Sequence, residues 1–193
     1  MTDELTWLQQ AKGGDEDAFA DLYECLYPPV RRFVVRMIGD RDSVEDIVQM
    51  TFIALHRNLK RVDPPETLRA YVYRIARNRC IDELRQQGRY DSIDDEEMAQ
   101  VRVSFIGDAA PQPEDAVHWM LVRLDVMTAI DQLPDLQREA LILFAEEGLS
   151  LQEIGRATGV SVGTVKSRMY HARQGLRRAL HPRTLQAVAT LFK

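Results

Sequence analysis

With 193 residues, 45% of them hydrophobic and 28% charged, the chain has material for one or two small globular domains. No apolar run approaches the roughly 20 residues that cross a bilayer, and the opening MTDELTWLQQAK lacks the basic-then-apolar order of a leader, so a cytoplasmic protein without membrane insertion is expected. The net charge of −5 hides a division: residues 154–193 hold eight Lys and Arg and no Asp or Glu, leaving seventeen basic residues against all thirty acidic ones in the rest.

Helical periodicity begins at once. Residues 5–12 form a short amphipathic segment ended by Gly13 and Gly14. Asp15 can cap the next helix, in which Phe19, Leu22, Tyr23 and Leu26 share a face that resumes at Val30, Phe33, Val34, Met37 and Ile38. Pro28 and Pro29 between the two halves are expected to kink or interrupt it. After Gly39, Asp42 and Glu45 have the spacing of a capping box for a third helix. Its inward residues are Val44, Ile47, Val48, Phe52, Leu55 and Leu59, and Glu45, Asp46, Gln49, Met50 and His56 lie outward. Pro64 and Pro65 start a fourth. There Leu68, Val72, Ile75 and Leu84 point inward, and Arg69, Tyr73, Arg74, Arg77, Asn78 and Arg79 lie elsewhere. Aromatics interleaved with arginine suit a single nucleic-acid strand, through stacking and backbone contacts. Solvated arginines around core Tyr71 and Tyr73 fit the same pattern.

Composition changes between Asp91 and Asp115, where eight acidic residues face one basic one. Like charge with low hydrophobicity predicts a flexible linker. The expected architecture is therefore all-α: a four-helix domain at 1–90, an acidic linker at 91–116 and a second helical domain at 117–193. The second domain opens with a helix carrying Trp119, Leu124, Met127 and Ile130 and stopping at Leu133. Pro134 starts another, with Leu136, Ala140, Leu141 and Phe144 apolar, and Gly148 ends it.

Residues 150–180 then read as two helices joined by a tight turn. Ser150 and Glu153 form a capping box, Leu151, Ile154 and Ala157 make one apolar side, and Gly159 stands where a positive φ ends a helix. Ser161 can cap the second helix, whose apolar positions are Val165, Met169, Ala172, Leu176 and Leu180. Between these lie Thr164, Lys166, Ser167, Arg168, Tyr170, His171, Arg173, Arg177 and Arg178, a face of donors and cations. A helix-turn-helix places such a face in the major groove, with early residues on base edges and later basic ones on phosphates. The tail after His181-Pro182 predicts one more short helix.

Cys25 and Cys80 are isolated and read as buried thiols, and the four histidines have no ligand spacing with them. No phosphate loop, nucleophile elbow or HExxH is present. No catalytic residue, metal or cofactor is expected.

Three blocks in this order, DSVEDIVQMTFIALHR, YVYRIARNRCIDELRQQGR and LPDLQREALILFAEEGLSLQEIGRATGVSVGTVKSRMYHARQGLRRAL, resemble the extracytoplasmic-function type of bacterial RNA polymerase sigma factor. The resemblance implies a sigma-2-like domain followed by a sigma-4-like helix-turn-helix domain. Its partners would be core RNA polymerase, through the β′ clamp and β flap, promoter DNA and an anti-sigma factor. A free chain would be a monomer. Asp46, Gln49 and Thr51 fall on the polymerase-binding helix. Asn58, Val62 and Asn78, with Arg74 and Arg77 nearby, fall where the family captures an extruded minus-ten base. Thr164, Lys166, Ser167, Tyr170 and His171 face minus-thirty-five bases, and Arg168, Arg173 and Arg177 its phosphates. Met50, His56 and Val62 depart from the family pattern of Glu, Trp or Tyr, and an aromatic. A conventional helix-turn-helix regulator, which would need no polymerase and favour a palindrome, is the competing reading.

Overall fold

A computed structural model describes residues 2–88 and 116–188, so the expected acidic linker up to residue 115 and the last five residues lie outside the described residues. The described residues are helical throughout, with no strand: α1 (Thr2–Lys12), α2 (Glu16–Ile38), α3 (Ser43–Arg57), α4 (Leu68–Gln86), α5 (Ala116–Asp131), α6 (Asp135–Ala145), α7 (Leu151–Thr158), α8 (Val162–Ala179) and α9 (Pro182–Ala187). Two short 3-10 turns, Leu59–Arg61 and Pro65–Thr67, join α3 to α4. Among the described residues no helix is long and apolar enough to cross a membrane.

The chain divides into two compact units. In the first, α1 to α4 are joined by residues 142–161, which carry α7. Helices α2, α3 and α4 pack on one another, and Leu22, Leu26, Val30 and Phe33 of α2, Val48 and Leu55 of α3 and Val72 and Ala76 of α4 are buried in its core. The Asp15 carboxylate caps α2 by accepting the Ala18 N–H at 3.0 Å. The expected break at Pro28-Pro29 does not occur, and α2 runs unbroken through both prolines. Their missing N–H groups would have served the carbonyls of Glu24 and Cys25, and Glu24, Cys25 and Pro28 are all exposed, where water can take the bonds. The expected capping box on α3 is also absent: the Asp42 backbone is in the right-handed helical region rather than extended and its side chain makes no cap bond, and the Glu45 carboxylate is taken by Arg31 and Tyr27. Cys80 is buried as expected, but Cys25 is exposed and its thiol donates to Glu4 Oε1 at 3.5 Å.

Helix α7 packs on α4. Its start is the expected capping box, with the Ser150 hydroxyl accepting from the Glu153 N–H and the Glu153 carboxylate accepting from the Ser150 N–H at 2.8 Å. Gly159 closes it in the left-handed region at φ 76.

In the second unit, made of residues 116–141 and 162–188, α5 packs against α8 and α9. A Cβ at Gly175 would lie 2.6 Å from Leu133 Cδ2, so the glycine in α8 allows this close approach. The His181 N–H donates to Asp125 Oδ2 at 3.0 Å, fastening the start of α9 to α5. Bonds from Thr184 and then from the His181 backbone hold the Asp125 carboxyl below the usual carboxylate range. The apolar residues noted on α5 do not share one environment. Ile130 is buried with Val122 and Ala129, but Leu124 is exposed together with Met120 and Leu121. A helix apolar on nearly every side carries no periodicity from which to choose its inner face.

Candidate nucleic-acid interface

On α3 the buried row Val44, Ile47, Val48, Phe52 and Leu55 leaves Asp46, Gln49, Met50, Ile53 and His56 exposed. Asp46 and Gln49 therefore stand on the surface as the sequence suggests. Thr51 does not: it is fully buried and its hydroxyl donates to the Ile47 carbonyl at 2.7 Å, so it cannot be a surface contact. Met50 and Ile53, each 41% exposed, place apolar surface beside the polar pair. A shallow groove of about 380 Å³ continues from Gln49 and Ile53 to Phe19, Tyr23 and His56. There the His56 ring meets Phe19 edge-on at 4.7 Å.

Helix α4 separates its arginines by environment. Arg74 and Asn78 are exposed, and Arg74 lies over the Tyr71 ring at 5.0 Å. At spacings of three and four residues, Tyr71, Arg74 and Asn78 form one stripe, offering a ring, a guanidinium and an amide. Arg77 is half-buried beside it. Tyr71 belongs to this stripe, although the sequence left it between core and surface. Tyr73, expected among the outward residues, is core instead. It is 1% exposed, packs edge-on against Phe33 at 5.3 Å, and its hydroxyl donates to Glu147. Two other expected minus-ten residues change character. Val62 is fully buried, presenting only its carbonyl, which accepts from Lys12 Nζ, so its side chain lines no open pocket. Asn58 is half-buried and spends an amide N–H on the Ala54 carbonyl at 2.8 Å, ending α3.

On α8, Lys166, Arg177 and Arg178 are exposed, and Thr164, Tyr170, His171 and Arg173 are half-buried. Ser167 and Arg168 are buried, which corrects both from groove contacts to interior residues. Arg168 Nη1 lies 3.9 Å from Glu139 Oε2, and the two side chains are 7% and 1% exposed. A buried carboxylate demands a cation, so the guanidinium serves the fold rather than a phosphate. Tyr170 and His171, ring to ring at 5.3 Å, open onto a groove of about 650 Å³ that also includes Gln132, Gln137, Gln174 and Arg178. Its amides and phenol supply donors and acceptors of the kind that read base edges.

The family model described as Sigma-70 region 2 matches residues 22–90, and that described as Sigma-70, region 4 matches residues 123–176. The chain is 34% identical over 177 residues to the ECF RNA polymerase sigma factor SigW of Bacillus subtilis, covering 90% of this chain and 94% of that protein. It is 31% identical over 173 residues to the RNA polymerase sigma factor CarQ of Myxococcus xanthus, covering 90% and 95%. Among solved structures, the sigma factor RpoE of Bartonella quintana, determined with the anti-sigma factor NepR, is similar with a TM-score of 0.60 and 26% identity, covering 83% of this chain and 95% of that one. CnrH, determined with the cytosolic domain of CnrY, shares the fold with a TM-score of 0.65 at 24% identity, covering 91% and 96%.

Proposed function

The chain belongs to the extracytoplasmic-function family of RNA polymerase sigma factors, and from this premise we propose how its surfaces divide the work of promoter-specific initiation. It binds core polymerase through the exposed row of α3, with Asp46 and Gln49 as polar anchors and Met50 and Ile53 adding apolar area. Tyr71, Arg74 and Asn78 of α4 receive the opened strand at the minus-ten element: the ring stacks on a base, the guanidinium holds backbone, and the amide offers both donor and acceptor to a base edge. Lys166, Tyr170 and His171 of α8 read duplex at the minus-thirty-five element, and Arg173, Arg177 and Arg178 are its phosphate contacts. The protein acts in the cytoplasm by binding alone and supplies no chemistry. An anti-sigma factor covers these faces when transcription is not wanted.

The observation that supports this reading best is the exposure of Asp46 and Gln49 on α3 and of Arg74 and Asn78 on α4, while the apolar rows of both helices are buried. Exposed polar substitutions normally change stability by no more than about 0.5 kcal/mol. Replacing Asp46 and Gln49 together with Ala should leave the thermal transition in place and abolish co-elution with core polymerase on size exclusion. A double variant that still co-elutes like the parent removes α3 from the interface.

A further inference from the structure

Glu147, in the turn between α6 and α7, is 4% exposed. One of its carboxylate oxygens accepts the Tyr73 hydroxyl of α4, and the other is buried without a hydrogen-bond partner. The surrounding charges leave it poorly compensated. Arg69 of α4 reaches only the main-chain oxygen of Glu147, at 3.5 Å, while its guanidinium pairs with Glu4 of α1 at 2.6 and 3.1 Å. Arg32 of α2 acts on the carboxyl from farther off, and neighbouring Glu146 opposes it electrostatically, itself paired with Arg36 of α2 at 3.0 Å. A half-satisfied buried carboxylate is poor permanent glue, since an apolar side chain of the same size would hold the helices at least as well. It is suited to a contact that must come apart.

We propose that the Tyr73–Glu147 pair is a proton-favoured latch, which holds α7 on α4 in a resting state and is released when the two DNA-reading faces engage one promoter. The need for release rests on the two-element reading above; the latch itself does not. Along α4, Tyr73 and Asn78 are separated by about 7.5 Å at 1.5 Å per residue. Elements centred at minus-ten and minus-thirty-five are roughly 85 Å apart at 3.4 Å per base pair. Laid end to end, α7 with 8 residues and α8 with 18 reach about 40 Å. With α7 anchored at Tyr73, α8 cannot reach the upstream element while Asn78 holds the downstream one.

Docking raises the Glu147 carboxyl above its ordinary range, chiefly by burial. The docked state therefore binds the proton more tightly than the open one. Its stabilisation is complete below the ordinary carboxyl value and is lost as pH rises through the raised one.

Hydrogen exchange of α7 amides in the full chain tests this, read as a ratio to α2 amides in the same sample so that the intrinsic pH dependence of exchange cancels. Relative α7 protection should fall severalfold as pH rises from mildly acidic through the raised carboxyl value. Glu147→Gln should keep it high at every pH, and Tyr73→Phe should lower it at every pH. A pH-independent ratio in the parent, or a Glu147→Gln variant as open as Tyr73→Phe, overturns the latch and makes the pair ordinary packing. Should Tyr73→Phe lose α2 protection as well, it has unfolded, and the pH profiles of the parent and Glu147→Gln decide alone. Neither polymerase nor DNA enters this assay, so a failure of the promoter reading leaves its outcome unchanged.

Discussion

Arg168 and Lys166 are two residues apart in sequence and opposite in consequence. Lys166 is exposed, whereas Arg168 is 6% exposed and lies beside a fully buried Glu139. Truncating Arg168 leaves a carboxylate buried without its cation, a change that costs about 3 to 5 kcal/mol in comparable pairs. Arg168→Ala should therefore lower the thermal midpoint markedly and leave the salt dependence of DNA binding in whatever folded protein remains. Lys166→Ala should do the reverse, keeping the midpoint and weakening DNA binding. Thermal melts followed by DNA titration at several salt concentrations measure both quantities, and an Arg168→Ala variant of parental stability but shallower salt slope would return that residue to the phosphate backbone.

Helix α1 is tied to α4 by a charged pair. Glu4 is 7% exposed and its carboxylate takes two bonds from Arg69 of α4, which hold it below its ordinary range. A carboxyl depressed by folding contributes stability above its unfolded value and loses it as pH falls through the folded one. The parent should thus lose stability on acidification below about pH 4.5, and Glu4→Gln should lose less over the same range while starting lower at neutral pH. Arg69 is about one-third exposed, so solvent screening keeps the difference small. An unchanged acid limb in Glu4→Gln would assign that loss to other carboxylates. Local signals of this kind vary in how far they can be read from sequence. The Ser150–Glu153 box and the Gly159 stop were legible because every partner lies within four residues. The Arg69–Glu4, Tyr73–Glu147 and Arg168–Glu139 pairs were not, since each partner is supplied by a distant segment and an arginine in a polar stripe looks the same whether it meets solvent or a buried acid. The prolines of α2 misled for a related reason: their local penalty, about 3 kcal/mol in a helix interior, is outweighed by a buried row, Leu22, Leu26, Val30 and Phe33, that belongs to the whole unit.

For the molecule as a whole, the sorting of charge and the two candidate DNA faces make one argument. In the proposed reading the exposed basic residues of α8 meet duplex and the Tyr71–Arg74–Asn78 stripe meets unpaired bases, and joining both to one chain would raise the effective concentration of each at the other's site. The two faces should therefore fail differently. Asn78→Ala removes one exposed amide from α4, so closed-complex formation on a duplex bearing the minus-thirty-five element should persist, while strand opening falls and preference relaxes at one minus-ten base. Each lost base contact is worth about 1 to 3 kcal/mol, or roughly five- to 150-fold in occupancy. Replacing Lys166 and Tyr170 with Ala should weaken recruitment by a similar factor, yet leave activity high on a template already melted, where the upstream contact is needed least. Permanganate footprinting of duplex and artificially bubbled promoters, with core polymerase present, distinguishes the two. A bubble should restore the Lys166/Tyr170 variant more fully than the Asn78 variant, because pre-melting relieves the need for recruitment and opening but supplies no substitute for the amide that holds the extruded base. Equal rescue of both would mean that α4 and α8 do not divide single strand from duplex.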